Sequence, residues 1–314
     1  MTNVKSRRFL AADILYIGLT VLPILAGIVL HVLTSPAEEG VTITGAQIYL
    51  TIPMPIQDLP ITESQFNSWL VILSLTGLCL YLTHGLQTRN ILKRQHLAEW
   101  IVEKVEGLVR DTMGESFTGF STFIATILAI SAFSSLLSLF GLYPPTSDIN
   151  VVAGWAILVF ILITHYKMKC GFGHYLKGFI EPVAFFAPIN VISELATPVS
   201  MAFRHYGNVL SGTVISVLVA AGLQGLSKLV LGWLPGMLGE IPFLQIGIPA
   251  VLSVYFDVFS GCLQAYIFAM LTMMYVSGGF DAERYFQRKE TKQAKRSQET
   301  PKRKNKKTKN MEVI

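Results

Sequence analysis

The chain has 314 residues, 52% of them hydrophobic and 14% charged, against roughly 25% charged in an ordinary soluble domain, which excludes a water-soluble globular protein. Its net charge of +5 hides two unlike regions: between positions 284 and 309, twelve Lys/Arg and two Glu carry +10, so the remainder sums to −5. Three widely separated cysteines, Cys79, Cys170 and Cys262, lack metal-ligand spacing and imply neither a disulfide framework nor a zinc site.

The apolar residues fall in runs at 14–33, 69–86, 117–142, 151–164, 209–226 and 258–276. Most match or approach the ~20 residues that a helix needs to cross a bilayer. No alternating ten-residue pattern of a membrane barrel is visible, so the expected fold class is an all-α polytopic membrane protein. The first run, within 11–33, has the basic start of a signal peptide, but it exceeds the usual 7–15 apolar residues and reads better as a retained anchor. Lys and Arg precede the first run and follow the second, the fourth and the last, whereas loops 34–65, 143–150 and 232–247 have neither. By the positive-inside rule both termini face the cytoplasm, with six passages between them.

Segment 91–113 is different in kind. Leu97, Ile101, Val105, Leu108 and Met113 recur at helical spacing, with Glu99, Lys104, Glu106 and Arg110 on other faces, which predicts an amphipathic helix lying along the membrane surface. Gly171-Phe172-Gly173 reads as a short basic loop. The tail after 284 cannot bury a core; its place directly after a membrane run points to anionic lipid headgroups and away from nucleic acid.

The chemistry concentrates in two helices. Arg204 lies in an apolar stretch, where a charge costs roughly 2.5–3.5 kcal/mol or more and is retained only where a partner or a watery cavity receives it. At 100° per residue, Asn190, Ser193, Thr197, Ser200, Arg204, Asn208 and Ser211 fall within about 40° of one line. Such a stripe can hydrate and pass ions, or it can serve as helix–helix glue; its length of about 31 Å, close to the membrane thickness, favours the pathway. In the last run, Ser253, Asp257, Gly261 and Gln264 share a face at helical spacing, placing a carboxyl and an amide together. His205 points away from the stripe and reads as a packing residue, not a metal ligand.

The segments PINVISELATPVSMAFRHYGNVLSG (188–212) and FSGCLQAYIFAMLTMMYVS (259–277) resemble the arginine-bearing helix and the last helix of the F-type ATP synthase a subunit. LFGLYPPTSDIN (139–150) and HYKMKCGFGHYLKGF (165–179) extend the resemblance over roughly residues 60–280. The resemblance implies tilted, membrane-embedded C-terminal helices beside a rotating c-subunit ring, a b-subunit stalk, and two offset half-channels that carry ions, protons by default or sodium. It implies no catalytic site, cofactor or metal in the chain itself, and a place in the bacterial cell (inner) membrane. Arg204 is then expected to face the ring carboxylate, with Asn208 and Gln264 around it and with Ser193 and Asn190 on the cytoplasmic half. Ser211 continues the stripe. Asp257 takes a position where the family often has an ionisable group, and Thr213 stands where some members carry a glutamate, so Asp257 is expected to supply the carboxylate. The expected organisation is an extra anchor and outer loop (1–60), the a-subunit membrane domain (61–281) and a disordered basic cytoplasmic tail (282–314). A secondary transporter would show inverted repeats with broken helices, and none is visible; a structural scaffold would tolerate neutralisation of Arg204.

Overall fold

The computed structural model describes residues 2–34, 45–55, 57–88, 92–180, 184–231 and 247–291. The expected loop 232–247, apart from Gly247, and the tail from 292 lie outside the described residues. Six stretches have the length and apolarity to cross a bilayer: Ala11–Thr34, Glu63–Thr83, Glu115–Phe140, Ile149–Cys170, Ala187–Val230 and Val254–Gly278. The chain is therefore an all-α polytopic membrane protein, with one small departure. Within 34–65, strands β1 (Ile48–Ile52) and β2 (Leu59–Thr62) pair antiparallel, Ile52 opposite Leu59. A search for long apolar runs passes over strands of five and four residues, although Ile, Tyr and Thr in alternation suit a pleated surface.

The chain forms two compact units, one of Met1–Ala156 with Val199–Leu271 and the other of Ile157–Pro198 with Thr272–Ile314. In the first, helix α1 (Thr2–Thr34) packs against α2 (Glu63–Thr83). The two run antiparallel, as four pairings along their length record. Asp13 Oδ1 meets His84 Nδ1 at 3.0 Å and Arg94 Nη1 at 2.7 Å. A Cβ on Gly77 would fall 2.7 Å from the Thr20 backbone nitrogen, and Leu70 fills the space beside Gly27. At the far end, His31 Nδ1 lies 2.8 Å from the buried Glu63 carboxylate. Helix α3 (Lys93–Met113) fills the place of the expected amphipathic segment and is not among the spans. It buries Val109 and Met113 while Leu97, Trp100 and Ile101 stay exposed. Helix α4 (Ser121–Leu136) brings buried Ile124 and Ile127 together with three buried serines, Ser131, Ser134 and Ser135.

Helix α5 (Ile149–Cys170) contributes its first turns to the first unit and the rest to the second. The expected loop at 171–173 is shorter than its glycines suggested: only Gly171, with φ +133°, breaks the helix, and α6 (Phe172–Ile180) starts at once. Nine residues are too few for a confident period to show in the sequence. Helix α7 (Ala187–Leu231) merges the arginine segment and the fifth apolar run into one 45-residue helix with Pro198 inside. At 1.5 Å per residue it is about 67 Å long, more than twice a hydrocarbon core of about 30 Å, so it can lie in a membrane only by strong tilt or by running along its surface. Helix α8 (Ile248–Ser253) precedes the final span, which comprises a π-helical stretch (Val254–Ser260) and α9 (Gly261–Gly278). Residues 282–291, expected to be disordered, are helical. Asp281 supplies the reason, because its Oδ1 accepts the Arg284 backbone N–H at 3.0 Å, the geometry of an N-cap.

The contact at Gly77 is with backbone, which cannot swing aside. Gly77→Val should cost about 1–3 kcal/mol through overpacking and lower the thermal midpoint of the solubilised protein, while Gly107→Val on α3, where a Cβ meets nothing within 4 Å, should shift it less.

Candidate functional site

Helix α7 has one packed face and one open face. Met201, Ala202 and His205 are buried, whereas every member of the predicted stripe (Asn190, Ser193, Thr197, Ser200, Arg204, Asn208 and Ser211) is exposed or half-buried. A continuous seam between helices of this chain would have been buried, so the stripe as a whole is not one, although Asn190 and Asn208 each bond a neighbouring element. Two of its hydroxyls turn back onto their own helix: Thr197 Oγ1 to Ser193 O at 3.2 Å, and Ser211 Oγ to Asn208 O at 3.2 Å. Arg204 is exposed on this face. Among the described residues it forms no ion pair and no hydrogen bond.

One turn further on, Asn208 Nδ2 donates to Gln264 Oε1 at 2.7 Å. Gln264 is buried, so the amide pair joins α7 to α9 and brings together two residues that the resemblance placed around one site. A cavity of about 10 Å³ beside it is lined by Ser135, Ser138, Asn208, Gly212, Asp257 and Gly261, among others. That is room for about one water. Asp257 lies in the π-helical stretch, so regular α spacing does not hold from Ser253, whose side chain is outside the described residues, to Gln264. The wider turn nevertheless leaves Asp257 lining the same cavity as Ser138, and π-turns are frequent at functional sites. Both glycines are close-packed: a Cβ on Gly261 would fall 2.6 Å from Ser135 Cβ, and one on Gly212 3.2 Å from the Phe256 side chain. Thr213 does not line this cavity; it is exposed, and its hydroxyl bonds Val209 O at 3.1 Å.

The second unit has a larger cavity of about 400 Å³, lined by Lys167, Tyr175, Asn190, Ser193, Glu194 and Thr197, among others. The structure thus brings Asn190 and Ser193 to one wall, with Asn190 Nδ2 donating to Phe179 O at 2.9 Å. It adds three residues that the sequence reading did not select. Lys167 Nζ bonds Glu194 Oε1 at 2.8 Å, and Tyr175 OH donates to the same oxygen at 3.3 Å. Burial, and then the Glu194 charge, push the Tyr175 phenol above its usual range. Glu194 itself carried a signal, as an acid on an apolar helix; its partner 27 residues upstream did not.

His205 is fully buried, with its Nε2 3.4 Å from Ser131 Oγ and its ring 5.9 Å from Trp155 and 5.6 Å from Phe268. It is a packing residue, as expected. No cluster of potential metal ligands occurs among the described residues.

An exposed arginine on a polar stripe, an amide pair beside it and a carboxyl in a one-water cavity define an ion-handling membrane protein. The profile of the family described as ATP synthase A chain matches residues 65–277. The chain is 32% identical to ATP synthase subunit a of Priestia megaterium over 237 residues, 71% of this chain and 94% of that protein. It is 28% identical to ATP synthase subunit a of Legionella pneumophila over 229 residues, 72% and 90% of the two. A third relative, ATP synthase subunit a 1 of Crocosphaera subtropica, is 29% identical over 219 residues, 69% and 86%. The chain belongs to the ATP synthase A chain family. It is accordingly a multi-pass component of the F0 sector that translocates ions and is not catalytic by itself.

The amide pair offers a direct check on the site's packing. A double-mutant cycle of Asn208→Ala and Gln264→Leu, read by denaturant titration in mixed micelles, should return a favourable coupling of about 0.6–1.7 kcal/mol, the range of interhelical hydrogen bonds in membranes. Strict additivity would mean that the bond contributes nothing.

Proposed function

We propose that the chain carries protons between two half-channels and hands them to the carboxyls of a rotating c-subunit ring at Arg204. The carrying observation is Arg204 itself: a guanidinium on an apolar helix, exposed, without a partner among the described residues of its own chain. On this reading the compensating charge comes from another subunit, and a ring carboxylate has the required sign. Arginine stays protonated in proteins, so it favours the ionised form of each passing carboxyl and releases its proton. The same fixed charge opposes direct cation flow between the half-channels.

The cavity with Asn190, Ser193 and the Lys167–Glu194 pair serves as the cytoplasmic half-channel on this reading, and the Asp257 cavity as part of the outer one. Along α7, Arg204 falls between the residues that line the first cavity, which end at Thr197, and those that line the second, which begin at Asn208. Protons suit the outer site better than sodium, because room for one water among hydroxyl, amide and carboxyl oxygens supports hopping but not a hydrated cation. Ser211 and Thr213, satisfied by their own helix backbone, contribute polarity at the channel face and no relay. The 61–281 region supplies the ion path, flanked by the N-terminal anchor and a basic tail, with both termini cytoplasmic by the charge pattern; the b-subunit stalk holds it against the ring.

Arg204→Ala should abolish ATP synthesis and ATP-driven pumping in inverted vesicles while the protein still inserts, and should permit passive proton leak. Arg204→Lys should be badly impaired too, since lysine lacks the planar fork and can lose its proton when buried. Near-normal synthesis by the alanine variant would overturn the mechanism.

Asp257→Asn should slow passive proton flow through F0 by at least tenfold without preventing assembly. Unchanged flux across a broad pH range would remove Asp257 from the path, and a flux that follows external sodium at fixed pH would assign sodium as the coupling ion.

A further inference from the structure

A second polar cavity in the second unit has no part in the ion path. It measures about 450 Å³ and is lined by Cys170, Gly171, Gly173, Arg284, Gln287, Arg288 and Thr291. The last four lie at i, i+3, i+4 and i+7 of the helical 282–291 segment and therefore on one face. Among the described residues, no carboxylate lines it.

The arrangement is built. Cys170, buried, accepts the Asp281 backbone N–H at Sγ over 3.2 Å, which ties the start of the 282–291 helix to the end of α5. Asp281 then caps that helix. Tyr285 packs on Phe280 at 5.3 Å, and Phe280 on Tyr166 at 5.9 Å, fixing the rotation of the helix about its axis. Gly171 provides the opening: its φ of +133° suits glycine, and a Cβ there would lie 2.6 Å from Arg288 Nη1. The guanidinium thus occupies space that only glycine leaves free.

The depth of this cavity selects its ligand. The span Ile149–Cys170 ends at one of its lining residues, and the span Val254–Gly278 ends just before the helix that carries the others. Residues immediately beyond two span ends stand at headgroup level. Two arginines and an amide on one face match a phosphate, which guanidinium groups grip through paired charge-assisted hydrogen bonds; the Thr291 hydroxyl is spent on Gln287 O at 2.8 Å.

We propose that this cavity binds the phosphodiester headgroup of an anionic membrane phospholipid, and so anchors the 282–291 helix to the bilayer. The same chemistry would accept free phosphate, so the test must separate the two sources.

The experiment uses the assembled ATP synthase in native membrane vesicles, with a phosphatidylglycerol probe carrying a headgroup-proximal diazirine, and maps crosslinks by peptide mass spectrometry. Crosslinks should concentrate on 170–173 and 284–291, exceed those of a matched phosphatidylcholine probe at least fivefold, and survive millimolar inorganic phosphate. R284Q/R288Q should reduce them at least tenfold with assembly unchanged, and R284K/R288K should retain more than the glutamine pair. G171A, which evicts Arg288 without removing charge, should also weaken them. Equal labelling by both probes, or undiminished labelling of R284Q/R288Q, would overturn the proposal. Loss of labelling to inorganic phosphate would assign the site to the free anion and overturn the lipid assignment.

Discussion

A guanidinium that cannot lose its charge, set on an apolar helix without a partner among the described residues of its own chain, constrains everything around it. Its insertion costs roughly 2.5–3.5 kcal/mol or more, and nothing among the described residues offsets that cost. The fold answers by keeping one face of α7 open and packing the other. On the packed side, Met201, Ala202 and His205 are buried, Ala202 clusters with Val152 and Ala156 of α5, and His205 sits among Trp155, Phe268 and Ser131. These contacts hold the helix so that Arg204, and not the helix backbone, meets whatever lies beyond the open face.

The same economy shows where α7 meets α9. An amide pair at lipid depth is a precise but modest link, because each partner would otherwise be an unsatisfied polar group. Asn208 and Gln264 satisfy each other; beside them, Gly212 and Gly261 remove the side chains that would close the cavity at Asp257. Outside the region matched by the family profile, α1 is joined to α2 at both ends by histidine–carboxylate contacts, His31 with Glu63 and His84 with Asp13. The α1–α2 pair is thus built by the ordinary means of membrane packing, small residues along the seam and polar links at the ends.

Much of this was legible in the sequence. Apolar run length gave the spans, since only helices satisfy their backbone in lipid. The helical period gave the stripe on α7, and the family resemblance placed Asn208 and Gln264 around one site. What could not be read depended on local exceptions or on distant pairing. The π-helical stretch around Asp257 breaks the period by which faces are counted, and a hairpin of short strands has too few residues to signal itself. Gly171-Phe172-Gly173 looked like a loop because two glycines weaken a helix, yet only the first adopts a positive φ. Glu194 was visible as an acid on an apolar helix, but Lys167 and Tyr175, which complete its cluster, come from α5 and α6 and share no sequence pattern with it. The helix at 282–291 hid in a basic composition, although Asp281 stood at its start as a capping residue.

On the proton path proposed above, the two cavities lined by α7 differ in how each would move charge. The larger holds an acid and a base already paired, Lys167 with Glu194 at 2.8 Å, and a tyrosine whose raised phenol keeps it a neutral donor at physiological pH. Its lining residues therefore add no net charge, and a space of about 400 Å³, once hydrated, would pass a proton without trapping it or repelling it. The smaller has room for about one water and an acid, Asp257, with no lysine or arginine in its lining. A proton cannot cross such a space as a hydrated ion and must be taken up and released by a group in the wall. A carboxyl can do both, whereas hydroxyls and amides can only pass hydrogen bonds along. Width and neutrality in one cavity, narrowness and a titratable wall in the other, are two physical solutions to moving the same charge.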